Sequence, residues 1–249
     1  MHAAPKPDLW PYWETHDASA SLTVDHGRWD RFLDAYLDTG PSSGIYVMGY
    51  GSVTPEDRKE LDRYIQSLER ITVTALSRTE QMAYWVNLYN AATVQLILDH
   101  YPVDSIRDIR RPFDRKLLIV EGKELSLNDI EHRILRPIFR DNRIHYAVNC
   151  ASLGCPNLQP LAYRANNLEE LLQRAAREYI QHPRGMQIEG NVMTLSSIYT
   201  WFREDFGGRE EGVLEHLARY ATPNMGDEIR AFSGRIRYRY DWSLNETGS

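Results

Sequence analysis

Residues 77–99 are the stretch that most limits how this chain can fold. From Met82 to Leu98 apolar side chains occupy nearly every side of a helical projection, Trp85, Leu88, Val94 and Ile97 among them. A helix that is apolar all round has to be enclosed by the rest of its domain. Ser77-Arg78-Thr79-Glu80 supplies a capping box at its start, and His100-Tyr101-Pro102 stops it. Asn87 and Asn90, three positions apart, share a face inside it. A buried amide without partners costs about 1–3 kcal/mol. The pair therefore braces the backbone of a neighbouring loop, or orients a catalytic loop or ligand, and the two roles can coincide.

Other elements follow from spacing and punctuation. Helical periodicity predicts helices over 28–37, from Thr54 onward with Pro55 at the first position, from the second capping box Ser126–Asp129 with Pro137 near the end, from Asn166 or Asn167 to Gln181, and over 209–221. A short aromatic helix starts at Ser196. Extended segments are expected at 45–50, 117–120 with a return at 124–125, a hairpin over 185–195, and 235–240 with one dry face. The fold class is α+β, several helices packed around a small, mostly antiparallel sheet with the 77–99 helix buried at its centre. No composition shift or repeat divides the chain, so 1–249 reads as a single domain. Its irregular N-terminal arm, about residues 1–27, carries Trp10, Tyr12 and Trp13, rings that favour burial.

A net charge of −6 argues against a nucleic-acid surface. The basic cluster Arg107, Arg110, Arg111, Arg115 and Lys116 is interrupted by acids and Phe113, and reads as a solvated connection, with anion binding as the minority reading. No run approaches the roughly 18 apolar residues of a membrane span. The opening Met1-His2-Ala3-Ala4-Pro5 lacks the apolar region of a signal peptide, yet AAPKPDLWPYW (3–13) reads like the exposed beginning of a mature chain. Two cysteines five positions apart form a local disulfide in an exported chain or stay thiols in the cytosol, and both readings stay open at this point.

The chemistry concentrates in residues 143–160, RIHYAVNCASLGCPNLQP. A strand-like run over 144–148 opens it, a loop with Asn149, Cys150 and Ser152 follows, and Pro156 and Pro160 prevent an immediate return to regular structure. Candidate groups are the thiols of Cys150 and Cys155, the imidazoles of His132 and His145, the acids Glu131 and Asp205, and the amides Asn87, Asn90 and Asn149. Cysteine catalysis needs a thiolate, an imidazole base and a group orienting that base. On a strand His145 and Cys150 would point to opposite faces, which leaves His132 the freer partner. Glu131 and His132 fit a general base with its orienter, though such residues more often make helix-surface pairs. Zinc is the weaker reading, because two thiols five apart lack a second CxxC or an HxxxH. No phosphate-cradling glycine loop, GxSxG or HExxH is present. No cofactor is expected.

Four segments together resemble a known family. EQMAYWVNLYNA (80–91), LSLNDIEHRILR (125–136), RIHYAVNCASLGCPNL (143–158) and TLSSIYTWFREDFG (194–207) occur in the order of the motifs of domain of unknown function 547, with a match over about 70–210. The closing YDWSLN is similar to the tail of bacterial members. The resemblance implies that Asn87, Asn90, Glu131, His132, Arg136, His145, Cys150, Ser152, Cys155 and Pro156 stand at motif positions. It also implies export in bacterial members, hence a periplasmic or secreted location with the cytoplasm as the alternative, which favours a Cys150–Cys155 disulfide.

Two readings are carried forward. The first is a thiol-dependent hydrolase or acyltransferase, with Cys150 as nucleophile, His132 or His145 as base, Glu131 beside them, and Asn87, Asn90, Arg136, Asn149 and Ser152 binding a small-molecule or peptide ligand. The second is a non-catalytic exported binding domain with a Cys150–Cys155 disulfide.

Overall fold

The computed structural model describes residues 6–247. The leader expectation and Pro5 fall on residues 1–5, outside the described residues. At the centre lies α3, Arg78–His100, buried without interruption from Glu80 to Val94. Ser77 caps it by accepting the Glu80 N–H. The reciprocal half of the box is not made, because the Glu80 carboxylate accepts the Val24 N–H at 2.7 Å and ties the arm to the helix. Helix α2, Pro55–Glu69, packs against α3, and α1, Gly27–Tyr36, packs against α2. Thr54 caps α2 through the Asp57 N–H. The arm is buried where expected: Trp13 is 1% exposed and meets Trp85 edge-on at 5.0 Å.

The helix opened by Ser126 is a π-helix, Asp129–Phe139. Its capping box forms, with the Asp129 N–H donating to Ser126 Oγ at 3.1 Å and the Ser126 N–H to Asp129 Oδ2 at 2.8 Å. Pro137 accounts for a local peculiarity. Its missing N–H leaves one carbonyl of the preceding turn without an intrahelical donor. The arm bonds that turn from outside, the N–H groups of Asp8 and Trp10 donating to the carbonyls of His132 and Arg133, each at 3.0 Å.

The segment expected as a strand at 144–148 is a single helical turn, α4, Ile144–Ala147. Asp141 starts it, accepting the Ile144 N–H on its carbonyl and the Arg143 N–H on its side chain. The β-branched and aromatic residues that suggested a strand serve two cores instead. Ile144 and Ala147 enter the core around α3, and Tyr146 enters a second core built on Tyr179, Tyr199, Phe206 and Leu217. Helix α5, Leu168–Ile180, also feeds both, with Leu168, Leu171 and Leu172 on one side and Ala176, Tyr179 and Ile180 on the other.

The architecture is α+β, though the strands do not make one sheet. Among the described residues β1, Leu37–Asp38, pairs with β2, Val47–Met48, and β3, Leu118–Val120, pairs with β4, Lys123–Leu125, both antiparallel. Glu121 and Gly122, with φ of 46° and 71°, form the tight β3–β4 turn. The third sheet is β5, Met186–Glu189, antiparallel to β6, Val192–Ser196, which runs parallel to β7, Arg235–Arg239. Between them lie α6, Ile198–Trp201, α7, Glu210–Tyr220, and α8, Pro223–Ala231. Helix α8 was not anticipated, because Pro223 stands at a helix start, where its missing N–H costs nothing.

Beyond β7 the chain returns to the centre. Gly154 donates to the Asp241 carbonyl at 2.8 Å, Leu153 to that of Ser243 at 2.8 Å, and Asn245 to that of Ala151 at 3.2 Å. The tail thus lies along the 150–155 loop. Among the described residues no helix is long and apolar enough to cross a membrane.

Candidate active site

The site is assembled by helix α3 from behind. Asn90, 2% exposed, donates to the Ala147 carbonyl at 2.9 Å and accepts the Asn149 N–H at 2.8 Å. Asn149 in turn donates from Nδ2 to the Pro156 carbonyl at 2.8 Å and accepts the Ala151 N–H on Oδ1 at 2.8 Å. Two amides therefore fix both ends of the cysteine loop. Asn87 makes the same two-way clamp on the backbone of Tyr163. These three amides act on backbone rather than lining a cavity. Ala151, between Cys150 and Ser152, is held at φ 60°, a left-handed conformation that a side chain disfavours by about 1–2 kcal/mol. The clamps from Asn149 and the tail hold it there.

The two cysteines are free, and no disulfide joins them. Each sulfur is engaged in hydrogen bonds instead. Cys155 Sγ accepts the Cys150 N–H at 3.0 Å and the Tyr240 O–H at 3.1 Å. Cys150 Sγ contacts Ser152 Oγ at 3.2 Å and Tyr240 Oη at 3.1 Å, and Ser152 Oγ donates to Tyr240 Oη at 3.0 Å. The donors converge on Cys155. Burial opposes its thiolate, but bonds from the Cys150 thiol, from Tyr240 and from the Cys150 N–H outweigh burial and lower its pKa. The Cys150 thiol, bonded to the Cys155 sulfur and buried, is pushed well up. Burial and the two sulfurs push Tyr240 well up, so it keeps the proton it donates.

A second cluster comes from the π-helix, α4 and the 203–206 turn. His145, 3% exposed, donates from Nε2 to Asp205 Oδ2 at 2.7 Å, and Arg136 Nε donates to the same oxygen at 2.6 Å. Burial disfavours the Asp205 carboxylate, but those two bonds prevail and hold its pKa at about 2. His145 Nδ1 has no hydrogen-bond partner and lies 3.7 Å from Glu131 Oε1. Phe202 stacks on the ring at 4.1 Å, and Phe206 adjoins it. His132 Nδ1 accepts from Arg136 at 3.2 Å, which assigns the proton of the neutral ring to Nε2. Burial and the Arg136 guanidinium depress its pKa to about 3. Glu131 is buried, which raises its pKa, and Tyr89 donates to it at 3.3 Å.

Both clusters open on one cleft of about 680 Å³, lined by Cys150, Cys155, Glu131, His132, His145 and an aromatic wall of Trp201, Phe202, Tyr240 and Trp242. The structure thus gathers all four residues assigned catalytic roles from the sequence. The opposition of His145 and Cys150 expected of a strand does not apply, since α4 ends between them. Asn87, Asn90 and Asn149 stand behind the loop, Ser152 bonds Cys150 and Tyr240, and Arg136 with Asp205 borders a smaller hollow of about 380 Å³. Sequence reasoning missed Tyr240 and Trp242, whose signal lay in the closing YDWSLN. Among the described residues no group of three or more His, Cys, Asp and Glu side chains is arranged to hold a metal ion.

Residues 73–180 match the family model described as "Protein of unknown function, DUF547". The match contains both cysteines, Glu131, His132 and His145, while Asp205, Tyr240 and Trp242 lie beyond it. No curated protein and no solved structure matches the chain.

Proposed function

We propose that this member of the DUF547 family is a thiol-dependent hydrolase or acyltransferase whose nucleophile is Cys155. The observation that carries the reading is the convergence of the Cys150 N–H and the Tyr240 O–H on one sulfur within a cleft that also holds an oriented histidine. Hydrogen bonds to a charged form are what lower a pKa against burial, and a thiolate is the reactive state of cysteine. The choice of Cys155 over Cys150 rests on the Cys150 N–H, which bonds the Cys155 sulfur alone, since Tyr240 Oη lies 3.1 Å from both sulfurs.

His145 fits the base, since Asp205 fixes Nε2–H and leaves Nδ1 unoccupied. In the proposed step His145 Nδ1 takes the Cys155 proton, the thiolate attacks an acyl carbon, and a C–S bond forms as the carbonyl electron pair moves to oxygen. Collapse breaks the bond to the leaving group, which takes its proton from His145. Water or an acceptor, deprotonated by the same imidazole, then releases the acyl group. Neutral His132, with its proton on Nε2, suits donation to the transient oxyanion.

Incubation of the reduced protein with p-nitrophenyl acetate, followed by intact-mass and peptide analysis, tests the reading. One acetyl group on Cys155, absent from Cys155→Ser and retained in Cys150→Ser, is expected. A wild-type protein that acquires no acyl group at either cysteine would leave the cleft as a binding site and overturn the catalytic reading.

A further inference from the structure

The loop over the cleft mouth carries Arg107, Arg110 and Arg111, all exposed and all lining the cavity. They are unevenly neutralised. Arg111 lies 3.7 Å from Asp114, whereas Arg107 and Arg110 form no ion pair among the described residues. The neighbouring cations are used differently: Lys116 is bound to Asp129 and Arg115 to His100. Arg107 is also held in place, its guanidinium 5.3 Å from the centre of the Trp242 ring. Of the two acids lining the cleft, Glu131 is buried and shifted toward its neutral form, which leaves Asp114 as the lining countercharge, while Asp104 and Asp108 of the same loop do not line the cavity. A chain of net charge −6 has therefore placed an excess of positive charge at this entrance.

We infer that the cleft selects acidic substrates, acyl compounds bearing a carboxylate or phosphate, which the arginine rim draws in and holds against Trp242 while the acyl carbon reaches the thiols. This rests on the thiol reading above and adds its substrate class. A guanidinium group matches both oxyanions with paired donors. Like charges focused at a cleft mouth raise the local concentration of an oppositely charged ligand. A merely solvated loop would leave ligands of either charge equally placed.

The test uses two alkylating reagents of similar size, anionic iodoacetate and neutral iodoacetamide, on the reduced native protein. The readout is the ratio of their rate constants at the cleft cysteines, resolved by peptide mass. In low salt, Arg107→Gln/Arg110→Gln/Arg111→Gln should lower the iodoacetate-to-iodoacetamide ratio by about tenfold. High salt should bring the wild-type ratio down toward the variant's. Arg110→Gln, which removes a side chain without an ion pair, should give part of the drop with unchanged thermal stability. Equal ratios in wild type and variants, with iodoacetamide still reacting, would overturn the acidic-substrate inference and leave the thiol reading standing. Unreactive thiols toward both reagents would overturn the two together.

Discussion

Asn90 should be the most consequential single amide in the molecule, and Asn90→Ala measures it. Its side chain occupies one buried donor and one buried acceptor, the Asn149 N–H at 2.8 Å and the Ala147 carbonyl at 2.9 Å. Truncation leaves both backbone groups without a partner in a site that is 2% exposed. Each orphaned group costs about 1–3 kcal/mol, so the sum is roughly 2–6 kcal/mol, in the tail of point-mutant effects. Asn90→Asp keeps the acceptor for Asn149 but faces the Ala147 carbonyl with oxygen, and should be no better tolerated. Urea unfolding at neutral pH, with an unchanged slope, gives the difference directly. Alkylation of the native protein should also speed up, because the loop between Ala147 and Pro156 loses its anchor. A loss below about 1 kcal/mol would mean that the two backbone groups find other partners, and would refute the bracing argument.

Four further outcomes are expected. Asp205, with its pKa at about 2 against an ordinary 3.8, contributes roughly 2 kcal/mol that is present above about pH 4 and lost as pH falls toward 2. The stability gap between wild type and Asp205→Asn should narrow over that window. His132 and His216 have pKa values of about 3, for both of which burial is the main cause, so the unfolded chain binds more protons than the native one from about pH 6.5 down to 3. Urea midpoints should fall across that range, and His216→Gln should flatten part of the fall. Gly154→Ala would set a Cβ 2.7 Å from the Asp241 carbonyl oxygen, and displacing the tail should lower the thermal midpoint and expose residues 240–247 to protease.

Much of the frame was legible because it depends on local patterns. The all-round apolar run of α3, the Thr54 and Ser77 caps, the Ser126–Asp129 box and the hairpin turns are decided by a few neighbouring residues. What failed depends on distant partners. Residues 144–148 have the composition of a strand, but their side chains are divided between two cores, which a helical turn permits and a strand beside Asn90 does not need. The π-helix owes two of its carbonyl partners to Asp8 and Trp10, more than a hundred positions away. The site was legible in its residue types and not in its roles. Cys150 and Cys155 look alike in sequence, and what separates them is the Cys150 N–H, which bonds Cys155 alone, while Tyr240, 85 residues on from Cys155, stands 3.1 Å from both sulfurs.

That separation is also the most direct point of attack. Site-resolved alkylation by iodoacetamide across pH, followed by peptide mass in wild type and Tyr240→Phe, reads the ionisation of each thiol separately. Cys155 should react with a midpoint below the ordinary cysteine range, and Cys150 should lag far above it. Tyr240→Phe should move the Cys155 midpoint up by about one unit or more, since a hydrogen bond to a charged group contributes about 1.5–3 kcal/mol. A Cys150 midpoint below that of Cys155, or a Cys155 midpoint indifferent to Tyr240, would contradict the account.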